Sequence, residues 1–148
     1  MSEHTAFIEW HFKPHTSQEL TYSRDHTVTF ENGISVLNSA APAFLGNPEA
    51  TNPETLLLGS LASCHMLTFL AIAAKRGFQV SSYSDKAIGT LGKNAEGRMT
   101  ITHIILKPVI TFSEGQNPSA DEMVKLHDSA HRNCFIANCL SAEVSIIS

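Results

Sequence analysis

The stretch NPETLLLGSLASCHMLTFLAIAAKRG, residues 52–77, decides the fold. Asn52, Pro53 and Glu54 open a helix with an N-cap, a proline at the first helical position and an acid in the first turn. Lys75, Arg76 and Gly77 close it with cations in the last turn and a C-terminal glycine. From Leu61 to Ala74 the helix is apolar on nearly every face, so it needs cover on all sides. Leu56 to Ala74 carries no formal charge and is nearly long enough to span a bilayer. Gly59, Ser60, Ser63, His65 and Thr68 within it, and ordinary caps around it, favour a buried helix over a membrane span.

Upstream, residues 5–12 mix apolar and polar side chains as a first strand. Val28 and Phe30 alternate with Thr27 and Thr29 before Asn32-Gly33, and Ile34, Val36 and Leu37 follow. This reads as a hairpin over 26–38, with Asn-Gly supplying two positive-φ positions. Ala40 to Ala50, with Pro42, Gly46 and Pro48, is a loop. Downstream, Val80 to Leu91 reads as one strand, Gly92 to Gly97 as a turn, and Met99 to Phe112 as a strand interrupted near Pro108. Ser119 and Glu122 form a capping box for a second helix through about His131, and Glu143 to Ile147 is a last strand. The order strands, helix, strands, helix, strand implies an α+β fold, antiparallel sheets around a buried central helix. A chain this small covers such a helix with difficulty, so a dimer is expected.

The 148 residues fit a single domain, residues 1–148, without repeat or linker. With 14 acidic and 10 basic residues the formal net charge is −4, so no basic field suits nucleic acid and no Lys/Arg cluster suits an anionic membrane. The N-terminal decapeptide lacks a basic and an apolar signal region, which predicts a cytoplasmic protein. In a reducing compartment the three cysteines are buried thiols, metal ligands or reactive groups rather than a disulfide scaffold.

Cys64 lies in the central helix and Cys134 just past the second helix, each beside histidines. A lone helical cysteine is ordinarily a small core residue; two that meet in the fold would be a redox pair. The attacking thiol must ionise well below its free pKa of about 8.5, which requires a nearby cation or a helix N-terminus. In a continuous helix Cys64 stands about three turns in, where the dipole helps little; a break at Gly59-Ser60 would put it in a first turn. Arg24 is the candidate cation, although a solvated loop charge is the blander reading. Cys139 reads as a core cysteine or a competing thiol. Adjacent helical residues point about 100° apart, so His65 reads as packing or pocket lining rather than a base for Cys64. Three rivals stand beside the redox pair. His127 and His131, four apart on one helical face, with Cys134 behind and Cys64 or His65 to complete the set, suit zinc. Cys64 with His65, His127 or His131 as base suits a hydrolase. An apolar pocket around Leu67 and Phe69 suits a non-catalytic ligand-binding module.

The run from Asn52 to Met66, NPETLLLGSLASCHM, resembles the first signature of the OsmC/Ohr family of osmotically inducible and organic hydroperoxide resistance proteins. AHRNCFIAN, residues 130–138, is similar to its second cysteine motif. The resemblance implies an OsmC-like fold in an intertwined homodimer and a thiol peroxidase with no metal or other cofactor. It implies Cys64 as the peroxidatic and Cys134 as the resolving cysteine. Glu54, ten residues before Cys64, matches the family's motif glutamate, and Arg24 resembles its N-terminal arginine. Arg24 would then lower the thiolate pKa and stabilise the leaving oxygen, and Glu54 would hold Arg24 in a charge-assisted fork. A dithiol or lipoylated-protein reductant would reopen the Cys64–Cys134 disulfide. Ten helical residues span about 15 Å, so Glu54 cannot touch Cys64 directly unless the helix bends or Arg24 bridges the gap; a bend near Gly59-Ser60 is expected, and a straight helix with Arg24 pointing to solvent would defeat this site. Phe135-Ile136 departs from the organic-hydroperoxide branch, which leaves organic against inorganic peroxide open.

Overall fold

The computed structural model describes residues 1–148 and divides them into two compact units, residues 1–56 and 57–148. The fold is α+β, with eight strands and two α-helices.

In the first unit, β1 (Ala6–Glu9), β2 (His26–Phe30) and β3 (Ser35–Asn38) form an antiparallel sheet in that order. The β2–β3 hairpin forms as the alternation requires, with Val28 opposite Val36 and only Val28 of β2 buried. Its turn differs from the expected one. Only Gly33 has positive φ, at +83°. Gly33 N–H donates to Phe30 O at 2.9 Å and Phe30 N–H to Ile34 O at 2.9 Å, so the loop has three residues with glycine at its left-handed position. After β3, Thr51 ties the chain back, its Oγ1 donating to Leu37 O at 2.8 Å.

Helix α1 (Pro53–Lys75) begins where the sequence places it. Thr55 N–H donates to Asn52 Oδ1 at 2.9 Å, and Asn52 N–H donates to Thr55 Oγ1 at 3.2 Å. Those two bonds satisfy end donors that the helix cannot bond internally. At the other end Phe78 N–H reaches Ala73 O and Gly77 N–H reaches Ala74 O, each at 3.0 Å, with Gly77 at φ +85°. This is a Schellman stop, and it needs the left-handed residue that glycine supplies. The helix runs through Gly59-Ser60 without a break, so Cys64 is three turns in and not in the first turn of a new segment.

In the second unit, β4 (Val80–Ser84) pairs with β7 (Val109–Phe112), and β5 (Ile88–Lys93) with β6 (Met99–Leu106), both antiparallel. The segment read as one strand over 80–91 is therefore two strands in two sheets. The interruption near Pro108 is real: β6 ends at Leu106 and β7 starts at Val109. β8 (Glu143–Ile146) lies along β6 in parallel, Ile104 opposite Val144, so the sheets are not wholly antiparallel. Helix α2 (Ala120–Asn133) starts at the Ser119–Glu122 capping box.

Two apolar clusters fill this unit. One gathers Leu61, Ile104, Leu106, Cys134 and Ala137; the other gathers Phe69, Ala73, Leu126 and Ala130. The buried side chains of α1 are Leu61, His65, Phe69 and Ala73, a single stripe at four-residue spacing. The chain alone thus covers one face of a helix that is apolar nearly all round, and leaves Leu67 59% exposed. By length and composition α1 is apolar enough to cross a bilayer, a test that a core helix also passes.

Candidate active site

Cys64 and Cys134 come together in the second unit. Cys64 is half-buried on α1 and packs against the cluster that contains Cys134. Cys134 caps the C-terminus of α2 with an extended backbone, φ −77° and ψ 111°, and is fully buried. Its position follows from the end of α2: its N–H still reaches back to His131 O at 3.3 Å, and its carbonyl accepts from Asn138 N–H at 3.1 Å in the turn that follows. All three cysteines are free thiols, and Cys64 and Cys134 each shift the other's acidity. Cys139 is exposed, its thiol donating to Phe135 O at 3.2 Å, and does not lie in the core as its blander reading expects.

The two thiols are driven apart in acidity. Burial pushes Cys64 up, but donors from Ile136 N–H, the Cys134 thiol, Phe135 N–H and Thr68 outweigh it and hold Cys64 below the ordinary thiol value. Burial first, then the neighbouring Cys64 sulfur, push Cys134 up to about 11, with the Ala137 N–H, 3.4 Å from Cys134 Sγ, only partly offsetting them. The pair therefore has one sulfur suited to carry the negative charge and one suited to keep the proton.

The histidines do other work. His65, expected as packing or pocket lining, is buried packing: its Nε2 lies 3.1 Å from His127 Nδ1, and the rings stack at 5.4 Å and 7°. His127 in turn lies 4.6 Å from the Phe69 ring. Burial lowers both histidines, His65 to about 4, with His127 and His131 adding repulsion. No histidine is among the groups that set the acidity of Cys64. His127, His131 and Cys134 do not gather as a set of metal ligands, and His127 turns to His65 instead. The position of His65 was open to sequence reasoning, since Leu61, His65, Phe69 and Ala73 form one stripe.

Arg24 and Glu54 belong to the first unit. The Arg24 guanidinium lies over the Tyr22 ring at 4.3 Å and donates to Thr21 Oγ1 at 3.0 Å and to Tyr22 O. Glu54 Oε2 is buried without a partner. The expected fork between them is not formed, because the guanidinium is engaged by its own strand-entry segment. Trp10, Tyr22, Arg24 and His26 line an apolar cavity of about 530 Å³ in this unit.

Residues 46–148 match the family model described as OsmC-like protein. The chain belongs to the OsmC-like family. It is similar, at 42% identity and TM-score 0.91, to an OsmC-like protein of unknown function from Vibrio cholerae, over 99% of each chain. An organic hydroperoxide resistance protein from Legionella pneumophila shares the fold at 18% identity and TM-score 0.74, over 99% of this chain and 94% of that one. The uncharacterized protein YmaD of Bacillus subtilis is 25% identical over 128 residues, 84% of this chain and 83% of its own length. In this OsmC-like chain Cys64 packs against the cluster that holds Cys134, and the family includes proteins named for organic hydroperoxide resistance.

Proposed function

We propose that this OsmC-like protein is a cysteine-based hydroperoxide reductase of the cytoplasm, acting as a homodimer. The observation that carries the reading is the Cys64–Cys134 contact, with Cys64 the more acidic thiol and Cys134 the proton-bearing partner. The Cys64 thiolate attacks the O–O bond of a hydroperoxide, ROOH. One oxygen stays on sulfur as a sulfenic acid, and the other leaves as alkoxide, which takes a proton to become the alcohol. Cys134 then attacks the sulfenic sulfur. Its proton leaves with the hydroxyl as water, and a Cys64–Cys134 disulfide forms. A dithiol or lipoylated-protein reductant restores both thiols by exchange.

Arg24 and Glu54 enter the same proposal as the cation that stabilises the leaving oxygen and the carboxylate that orients it. That role requires the guanidinium to leave Thr21 and Tyr22, which hold it here. A second copy of the chain is the proposed cover for the open faces of α1, of which a single chain buries one stripe. The test is consumption of cumene hydroperoxide and of hydrogen peroxide in the presence of dihydrolipoamide. Turnover that disappears in Cys64→Ser supports the reading. Equal background rates in both proteins would refute it, and the faster oxidant assigns the substrate class.

A further inference from the structure

The two sulfurs of the proposed disulfide differ in access. Cys134 caps α2 and has no exposed surface, packed with Leu61, Ile104, Leu106 and Ala137 in the first apolar cluster. The turn after it is bonded to it twice: Ala137 N–H donates to Cys134 Sγ at 3.4 Å, and Asn138 N–H donates to Cys134 O at 3.1 Å. The Asn138 side chain ties the same turn to α2, its Nδ2 donating to Arg132 O at 3.3 Å. Cys64 is half-buried, and what covers it is the cluster that holds Cys134. The surface it keeps therefore lies on the side away from Cys134. In thiol–disulfide exchange a thiolate attacks one sulfur and forms a mixed disulfide there, and access helps to decide which sulfur is taken. The attacking thiolate enters in line with the S–S bond, opposite the leaving sulfur, and that is the side on which Cys64 is open.

We propose that the reductant opens the Cys64–Cys134 disulfide at Cys64, with Cys134 as the leaving sulfur. This order deepens the peroxidase reading and rests on its disulfide. The thiolate of a dithiol bonds to Cys64 Sγ and the S–S bond breaks. Cys134 leaves with the electron pair beside the Ala137 N–H and takes up a proton. The second thiol of the dithiol, deprotonated in turn, attacks its own sulfur in the mixed disulfide. Cys64 leaves as thiolate and the dithiol closes to a cyclic disulfide, so two electrons reach the protein and both cysteines are restored. Leaving-group acidity alone favours the opposite order, because Cys64 is the more acidic thiol and the better leaving group. Access decides against it. Attack on Cys134 requires the turn over residues 135–140 to open, which breaks the Ala137 and Asn138 bonds and unpacks the sulfur from its cluster. A net hydrogen bond is worth about fivefold in population. In the proposed order Cys64 leaves in the second step, where its acidity helps.

The test uses the full-length protein with exposed Cys139 replaced by serine, and forms the disulfide with diamide, so that it does not depend on peroxide. The probe is a monothiol, mercaptoethanol, which can make the first exchange but cannot close on itself. The reaction is stopped in acid at early times and the adduct is mapped by mass spectrometry. The expected product carries mercaptoethanol on Cys64 and a free thiol at Cys134, in about tenfold excess or more over the reverse. The rate should be flat in sub-denaturing urea, because no opening of the turn precedes attack. An adduct on Cys134, or a rate that climbs with urea, would overturn the proposal, as would a folded protein in which diamide makes no Cys64–Cys134 bond. Peroxide turnover is scored separately in the wild-type protein. Exchange at Cys64 in a protein without turnover refutes the peroxidase reading alone, and turnover with the adduct on Cys134 refutes the order of attack alone.

Discussion

Cys64 packs against the buried cluster that holds Cys134, and the two acidities move in opposite directions, Cys64 below the ordinary thiol and Cys134 up to about 11. Two cysteines equally exposed and equally acidic could exchange roles. Here the difference in burial and the opposite shifts in acidity give each sulfur one task. Cys64 is half-buried and can be reached, whereas Cys134 has no exposed surface.

That asymmetry predicts the order of modification. At pH 7 iodoacetamide should label Cys64 well ahead of Cys134, as read by peptide mass spectrometry, with exposed Cys139 as an internal control for access of the reagent. Faster labelling of Cys134 would reverse the assignment.

Cys134→Ser should separate the two half-reactions. One equivalent of hydroperoxide should still be reduced, leaving a Cys64 sulfenic acid that dimedone traps, and multiple turnover should fall to background. Undiminished turnover would transfer resolution to Cys139 or to an external thiol.

The His65–His127 pair predicts an acid limit to stability. His65 is buried neutral and titrates near 4 in the folded protein, against an ordinary histidine value of 6.5 in the unfolded chain. Its lowered pKa means that the unfolded state takes up the proton first. Its contribution is therefore fully present above pH 6.5 and is lost as the pH falls toward 4, at about 1.4 kcal/mol per pH unit and about 3 kcal/mol in all. Urea unfolding should show that additional loss in the wild type relative to His65→Gln over this window.

Phe69→Ala should be the costliest single truncation in the second cluster. The ring is fully buried and touches both His127 and Tyr83. A loss of about 3–5 kcal/mol in unfolding free energy is expected, with the family fold retained. A loss under about 1 kcal/mol would mean that the α1–α2 contact is looser than the structure has it.

Both helices were legible because their ends carry local chemistry. Asn52 and Thr55 cap α1, Gly77 stops it, and Ser119 with Glu122 caps α2, each through groups a few residues apart. The β6–β8 pairing was not legible: apolar alternation tells which face a strand buries but not its neighbour or direction. Asn32-Gly33 marked a turn correctly, yet the register of β2 on β3 fixed a three-residue loop with one positive φ. Cys64 and Cys134 stood out by motif, and the structure supplied their contact. Arg24 was placed by its position alone, and the adjacent Tyr22 that captures it was not weighed.

The most direct test is to treat the reduced protein with one equivalent of cumene hydroperoxide, count its free thiols and map any disulfide by mass spectrometry. The account predicts the loss of two thiols, a Cys64–Cys134 bond and an unmodified Cys139, with no such bond in Cys64→Ser. Three thiols left free while the peroxide persists would contradict it.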